Sequence, residues 1–386
     1  MRICMTMFDE PYNDARIHKE TATLVAMGHS VRIVCVKYNR AERKTGPPGA
    51  QVDAIYVGGK RSGKLRFLRF YLKAFWRAMR VKAEVVHAQD LYSLPVAYVA
   101  ARVRSAALIY DSHEYYLGMD SLIGRRFERS VWAFVERAFI GKADRVITVG
   151  DAIADILRAR YSIRRPVVVR NCPAFRRFER SDALREKLRI PKGVGIVLYQ
   201  GVMDAGRGLF TILESVKRVE GCCLVMLGDG HILDELKEHA RRLDLSDRTF
   251  FPGSVPLQDL MRYTASADVG IHLIENTCPN HYYCLPNKLF EYMMAGLPVI
   301  ISDFPEIGKV VRGAQAGLLV DPTNPAAVAG AIRRLLSEGE LLRKFSEHGL
   351  KAAEERYNWE RESLKLERVY SCVENRPQVS RSKKPE

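Results

Sequence analysis

Short apolar runs alternate with longer amphipathic stretches along the whole chain. In the first half, Arg2–Met7, Val31–Val36, Val85–Ala88, Ala107–Asp111, Arg145–Val149 and Val167–Arg170 have the length and composition of buried strands. Helical spacing separates them, as in Ile17–Met27 and Arg125–Ile140. A polar, arginine-rich stretch from Pro173 to Gly193 predicts a linker with a short helix. The alternation then restarts, with strands predicted at Gly195–Gln200, Cys222–Leu227, Thr249–Phe251, Val269–Leu273, Pro298–Ser302 and Gly317–Val320. Helices are expected at Leu209–Val219, Ile232–Leu243, Asn287–Met294 and Pro325–Ser337. Strands alternating with helices predict βαβ units and parallel sheets. The expected fold class is therefore α/β: two Rossmann-like domains facing a cleft, over residues 1–175 and 190–357. Ligands of such sheets lie beyond the carboxyl ends of the strands. From Arg376 to Glu386 there is no apolar pattern, which predicts a disordered tail.

Composition agrees with this division. A chain of 386 residues, 47% of them hydrophobic, exceeds what one core usually supports. No apolar run is long enough to cross a membrane and no secretory signal precedes the first strand, so a cytoplasmic location is expected. The eight cysteines form no C-x-x-C pair, so neither a disulfide framework nor structural zinc is expected. The net charge of +16 favours anionic partners: nucleotides, membrane surfaces, phosphorylated lipids or nucleic acid. No nucleic-acid reading motif accompanies the charge.

Three features of the second half converge on a nucleotide diphosphate. Tyr199-Gln200-Gly201 followed by Gly206-Arg207-Gly208 joins a strand end to a helix start through glycines. Glycine admits a ligand close to the backbone, and a helix start with an arginine suits phosphate oxygens. A plain turn with a solvated arginine is the structural alternative. Leu227-Gly228-Asp229-Gly230 is a second such strand end, equally explicable as a turn. The third is Tyr282 to Ile300, where Pro286 fits a helix start and Gly296 a helix stop. Amides at that start, Leu285 and Asn287 among them, together with Lys288, suit a diphosphate. The Glu291 carboxylate, an acceptor only, suits vicinal ribose hydroxyls. The alternative there is an amphipathic helix with a solvated Glu291.

LPNKLFEYMMAGLPVI, with YQGVMDAGRGL and the FPGSVPLQDL run from Phe251, resembles the donor domain of family 4 retaining glycosyltransferases of the GT-B fold. The resemblance spans Met1 to a C-terminal helix of about 358–375, which it implies crosses back to the N-terminal domain. It implies ribose binding by Glu291, diphosphate binding by Arg207 and Lys288, and a nucleobase near Ser254-Val255-Pro256. It also implies a uridine or guanosine diphosphate sugar as substrate, with no cofactor, and retention at the sugar. Two positions depart from the family. Eight residues before Glu291, where a second acid often touches the sugar, stands Tyr283; main-chain groups around Tyr282, Tyr283 and Cys284 are then expected to meet the sugar. Val202 stands where many members carry a phosphate-binding arginine, which shifts charge neutralisation to Arg207. No acidic D-x-D pair occupies a metal position, so metal-independent chemistry is expected, with Arg207 and Lys288 stabilising the departing diphosphate.

On the acceptor side, Tyr110-Asp111-Ser112-His113-Glu114 follows a buried strand. By resemblance His113 meets the transferred sugar, with Glu114 orienting the ring through its other nitrogen. Asp90, at the end of His87-Ala88-Gln89-Asp90, is a further candidate. Asp14 reads as a helix N-cap; the resemblance places it and Arg16 near the acceptor, with Arg16 on an anionic group, although both simply start a helix in the structural alternative. The segment Lys60–Arg80 is basic and aromatic, with cations at 64, 66, 69, 73, 77 and 80. Such a helix suits an anionic membrane surface, on the inner face of the cell membrane, and a lipid-phosphate acceptor; packing on the sheet is the alternative. The expected activity is transfer of a sugar to a glycan or lipid-linked acceptor. A nucleotide-sugar 2-epimerase of the same fold and a non-catalytic partner subunit are the rival readings.

Overall fold

Ile3, Cys4 and Met5 are wholly buried because the strand carrying them has a parallel neighbour on each edge, pairing Ile3 with both Val31 and Val85. That doubly covered position is why the first strand is a continuous apolar run rather than an alternating one. The structure is a computed structural model and describes residues 1–39, 45–58 and 65–375. The expected tail from Arg376 and the Lys60–Lys64 opening of the basic segment lie outside the described residues.

The chain order begins β1 (Arg2–Thr6), α1 (Ala15–Ala26), β2 (Ser30–Lys37), β3 (Ala50–Tyr56), α2 (Leu65–Arg80), β4 (Val85–Ala88) and α3 (Leu94–Arg104). It continues through β5 (Ala107–Ser112), α4 (Arg126–Phe139), β6 (Arg145–Thr148), α5 (Asp151–Tyr161) and β7 (Val167–Val168). These strands form one parallel sheet in the order β3-β2-β1-β4-β5-β6-β7. The sequence pattern misses β3. It is an edge strand whose Gln51 and Asp53 interrupt any apolar run, and only Ile55 is buried.

After α6 (Ala183–Leu188) come β8 (Gly195–Gln200), α7 (Leu209–Lys217), β9 (Cys222–Leu227), α8 (Leu233–Arg242), β10 (Thr249–Gly253), α9 (Leu257–Thr264) and β11 (Val269–His272). Then follow α10 (Pro279–Tyr283), α11 (Asn287–Met294), β12 (Val299–Ser302), α12 (Pro305–Ala314), β13 (Gly317–Val320), α13 (Pro325–Ser337), α14 (Gly339–Glu355) and α15 (Trp359–Glu374). The second sheet runs β10-β9-β8-β11-β12-β13. Alternate residues of β8 enter opposite cores: Ile196 and Leu198 pack with Tyr292 and Met293, whereas Val197 and Tyr199 pack with Ile212 and Leu213. By internal contacts one unit comprises Met1–Leu117, Gly124–Arg170 and the chain from Glu362 on; the other comprises Gly118–Ile123 and Asn171–Arg361. The division falls inside α15, whose Tyr370 hydroxyl bonds His87 Nδ1 at 2.8 Å within the first unit.

The first unit also buries a charge network. Arg16 lies 2.6 Å from Asp111 and 2.9 Å from Glu20, and these side chains are almost fully enclosed. Burial pushes the Asp111 carboxyl up, but the Arg16 charge and hydrogen bonds, helped by His113 and His87, together hold it below the usual value. Asp111 therefore carries the charge that balances Arg16. Burial pushes Glu20 up to about 8, against the pull of Arg16 and with the help of Asp111. An unfolded glutamate ionises near pH ~4.3. The stability Glu20 contributes is thus complete below that value and is lost as pH rises to about 8. Glu20→Gln keeps a neutral partner in place. In urea unfolding at about pH 5 and pH 8.5, the variant should lose less stability between the two than the wild type does. Equal losses would contradict a protonated Glu20.

Candidate active site

The carboxyl end of the second sheet is built by close backbone passage. Gly201 (φ +144) and Gly228 (φ +141) end neighbouring strands. A Cβ on Gly228 would overlap the Gly201 carbonyl oxygen, and one on Gly230 would overlap that of Met203. These glycines therefore let one loop lie on the other; at Gly228 the space serves the protein's own backbone rather than a ligand. In the next turn, Gly206 (φ +77) and Gly208 (φ +60) bracket Arg207, and a Cβ on Gly208 would meet Leu273 Cβ at 2.6 Å. Arg207 is half-buried and has no hydrogen bond or ion pair among the described residues.

Facing this end is α11. Pro286 offers no capping side chain, so the first-turn amides of Asn287 and Lys288 are left for another acceptor. The helix closes with Gly296 N–H to Met293 O at 3.1 Å and Leu297 N–H to Tyr292 O at 2.9 Å, a glycine-ended cap. Lys288 Nζ lies 3.1 Å from Glu291 Oε2, which also accepts from Gln200 Nε2 at 2.5 Å. Gln200 Oε1 in turn accepts from Thr264 Oγ1 at 2.7 Å. The sequence reading misses Gln200 as the residue that aims Glu291. Its only signal is a polar residue closing a buried strand. Tyr283, Cys284 and Leu285 are half-buried in the approach to α11, with Cys284 Sγ donating to His281 O at 3.0 Å. Val255 is half-buried beyond β10 and packs on the core that α11 covers. Gly201, Arg207, Gly228, Val255, Lys288 and Glu291 thus belong to the loops and the helix at one end of the sheet.

The first unit corrects three expectations. Arg16 does not face a ligand: Nε and Nη2 bond Asp111 at 2.9 and 2.6 Å and Nη1 bonds Val169 O at 2.8 Å. Asp90 is likewise structural, accepting from Phe8 N–H and Ser93 N–H at 2.6 Å each. Burial pushes its carboxyl up to about 6. Glu114 does not orient His113, because Tyr116 Oη lies 3.2 Å from His113 Nε2 and Nδ1 has no partner among the described residues. Asp14 is the N-cap of α1, accepting from Arg16 N–H at 2.9 Å and Ile17 N–H at 3.2 Å. His113 is left half-buried with a buried, unpaired Nδ1.

Among the described residues, two side-chain groups have the ligand types and spacing for an ion: Glu20, His87 and Asp111, and Asp120, Cys278 and His281. In the first, Arg16 already supplies the positive charge. In the second, burial and then a hydrogen bond to Asp120 push the Cys278 thiol up, so it caps α10 as a neutral thiol.

Two parallel-sheet Rossmann-like units, the second with its glycine turns and α11, have the fold of GT-B glycosyltransferase structures. Residues 15–172 match the family described as glycosyl transferase 4-like domain, and residues 180–352 match glycosyl transferases group 1. Together the two matches cover most of the chain, one in each half. The sucrose-phosphate synthase structure from Thermosynechococcus elongatus is similar with TM-score 0.81 and 19% identity, over 97% of this chain and 99% of that one. HepE from Anabaena in complex with UDP-glucose gives TM-score 0.72 and 15% identity, over 96% and 99%. Alpha-monoglucosyldiacylglycerol synthase of Streptococcus pneumoniae is 24% identical over 272 residues, 65% of this chain and 60% of its own. The chain spans about half the length of other curated relatives that it matches.

Gly228→Ala should destabilise the protein by about 2–4 kcal/mol through overlap with the Gly201 carbonyl. Gly221→Ala, at φ +68 with no atom within 4 Å, should cost only about 1 kcal/mol. Urea unfolding of both variants checks this; equal losses would remove the close-passage account.

Proposed function

We propose that this protein transfers a sugar from a UDP- or GDP-linked donor to a glycan or lipid-linked acceptor, with retention and without a metal ion. The observation that carries this reading is Arg207, unpaired among the described residues between two left-handed glycines, at the sheet end that Lys288 and the uncapped start of α11 share. As the bond from the anomeric carbon to the diphosphate oxygen breaks, its electron pair leaves with the diphosphate. Arg207, Lys288 and the first-turn amides of α11 stabilise that charge. Glu291, aimed by Gln200, accepts from the ribose hydroxyls. The acceptor oxygen bonds the anomeric carbon and passes its proton to the departing diphosphate; in the first unit, His113 offers its Nδ1, unpaired among the described residues, to a sugar hydroxyl. HepE, solved with UDP-glucose, supports a uridine donor.

A lipid-linked acceptor draws support from the outer face of the first unit. Leu68, Leu72 and Trp76 on α2 are 55%, 61% and 66% exposed, and Phe127 and Phe134 on α4 are 76% and 72% exposed. Phe67 of α2 packs on Trp132 of α4 at 5.5 Å, and the same two helices carry the exposed cations Arg69, Lys73, Arg126 and Arg129. Apolar tips among cations suit an anionic bilayer surface such as the inner face of the cell membrane. Among the described residues no helix is long and apolar enough to cross a membrane.

A thermal-shift panel of UDP, GDP, ADP and their sugars tests the donor reading. One nucleotide should stabilise the wild type, and Glu291→Ala should abolish most of that shift; no shift with any of them would overturn it. For the acceptor face, binding to vesicles with about 30% phosphatidylglycerol should weaken at least several-fold when Arg66, Arg69 and Lys73 become glutamate. Equal binding to neutral and anionic vesicles would sink the membrane assignment.

A further inference from the structure

His272 closes β11 and is only 4% exposed, yet neither ring nitrogen has a hydrogen-bond partner among the described residues. Buried polar atoms are nearly always paired, and two orphans on one ring are unusual. Packing alone orients the ring. It lies parallel to Tyr199, centroids 5.7 Å apart with 8° between planes, and the Tyr199 hydroxyl is itself tied to Val202 O at 2.7 Å. The parallel register of β11 on β8 sets Gly270 beside Leu198 and so carries His272 alongside Gln200, one residue before the Gly201 turn.

Two cations act on this ring. Burial first, then Arg207 and Lys288, push its pKa down to about 3. The imidazole is therefore neutral, with one N–H to donate and one nitrogen to accept. A neutral donor beside two cations, at the carboxyl end of a parallel sheet, is suited to anionic oxygen. It adds a directed hydrogen bond where an arginine and a lysine supply charge.

We infer that His272 donates a hydrogen bond to the diphosphate of the nucleotide-sugar donor, a third contact beside Arg207 and Lys288. This rests on the donor reading proposed above. The contact gives one of the two unpaired nitrogens a partner, which belongs to the substrate. It also makes His272 one of the groups that hold the departing diphosphate as charge builds on it.

The test uses the full chain with UDP, GDP, uridine and guanosine as probes, measured by calorimetry or competition. His272→Phe keeps a ring to stack on Tyr199 and removes both nitrogens. Without ligand it should melt at or above the wild type, because two orphaned polar atoms are gone; a merely structural histidine would lower the melting temperature. Affinity for the preferred diphosphate should fall about tenfold to a hundredfold, and affinity for the matching nucleoside should stay unchanged. His272→Gln, which offers an N–H from a flexible chain, should recover part of the loss. Unchanged diphosphate affinity in His272→Phe overturns the inference, as does an equal loss for nucleoside and diphosphate. A wild type that binds no nucleotide overturns the donor reading itself, which separates that failure from the failure of His272.

Discussion

The hydroxyl of Tyr292 fixes the second unit's working end. It accepts from Gln200 N–H at 3.0 Å and reaches Leu198 O and Ile271 O at 3.2 and 3.3 Å, so one side chain of α11 is tied to two adjacent strands. The ring fits only because Gly270 lies against it; a Cβ there would come within 2.6 Å. With that hydroxyl seated, the register of α11 against β8 is set. Lys288 and Glu291 then fall one turn or less before it, near Gln200 and the Gly201 turn. A fully buried phenol satisfied on all sides is a stringent positional constraint, since a small shift would strand it in an apolar core.

The first unit solves a different problem. Its α1 presents a guanidinium to the ends of two strands, and Asp111 answers with a carboxylate from β5. Arg16 also bonds Val169 O, just past β7. One cation thereby bridges α1 to segments 95 and 153 residues further along the chain. Removing either partner would leave a buried charge uncompensated, a far larger cost than any exposed pair on this basic surface would incur.

Much of this was legible beforehand. The strands β4, β8, β9 and β13 and the helices α11 and α13 match their predicted limits, because each is an apolar run or stripe bounded by polar or glycine punctuation. Edge strand β3 was not, since a strand with one neighbour needs no continuous apolar run. Among polar residues, direction was the hidden variable. Arg16 and Asp90 sit beside strand ends just as ligand-binding residues do, yet they bond the protein's own carboxylate and amides. Gln200 shows the reverse: a residue with no motif of its own whose two amide atoms link Thr264 to Glu291. Local sequence records that a polar group lies at a strand end, whereas its partner comes from a loop or strand far along the chain.

The discontinuity of the first unit bears on how the protein is made. Tyr370 meets His87 across 283 residues, and Glu362 accepts from Arg170 N–H across 192. During synthesis the seven-stranded sheet leaves the ribosome with these positions unfilled, and the whole second unit must be translated before α15 arrives to fill them. The amino-terminal half is therefore the first to be made and the last to be finished. A nascent or truncated chain ending near residue 170 would carry an exposed apolar seam where Leu366, Val369 and Tyr370 belong.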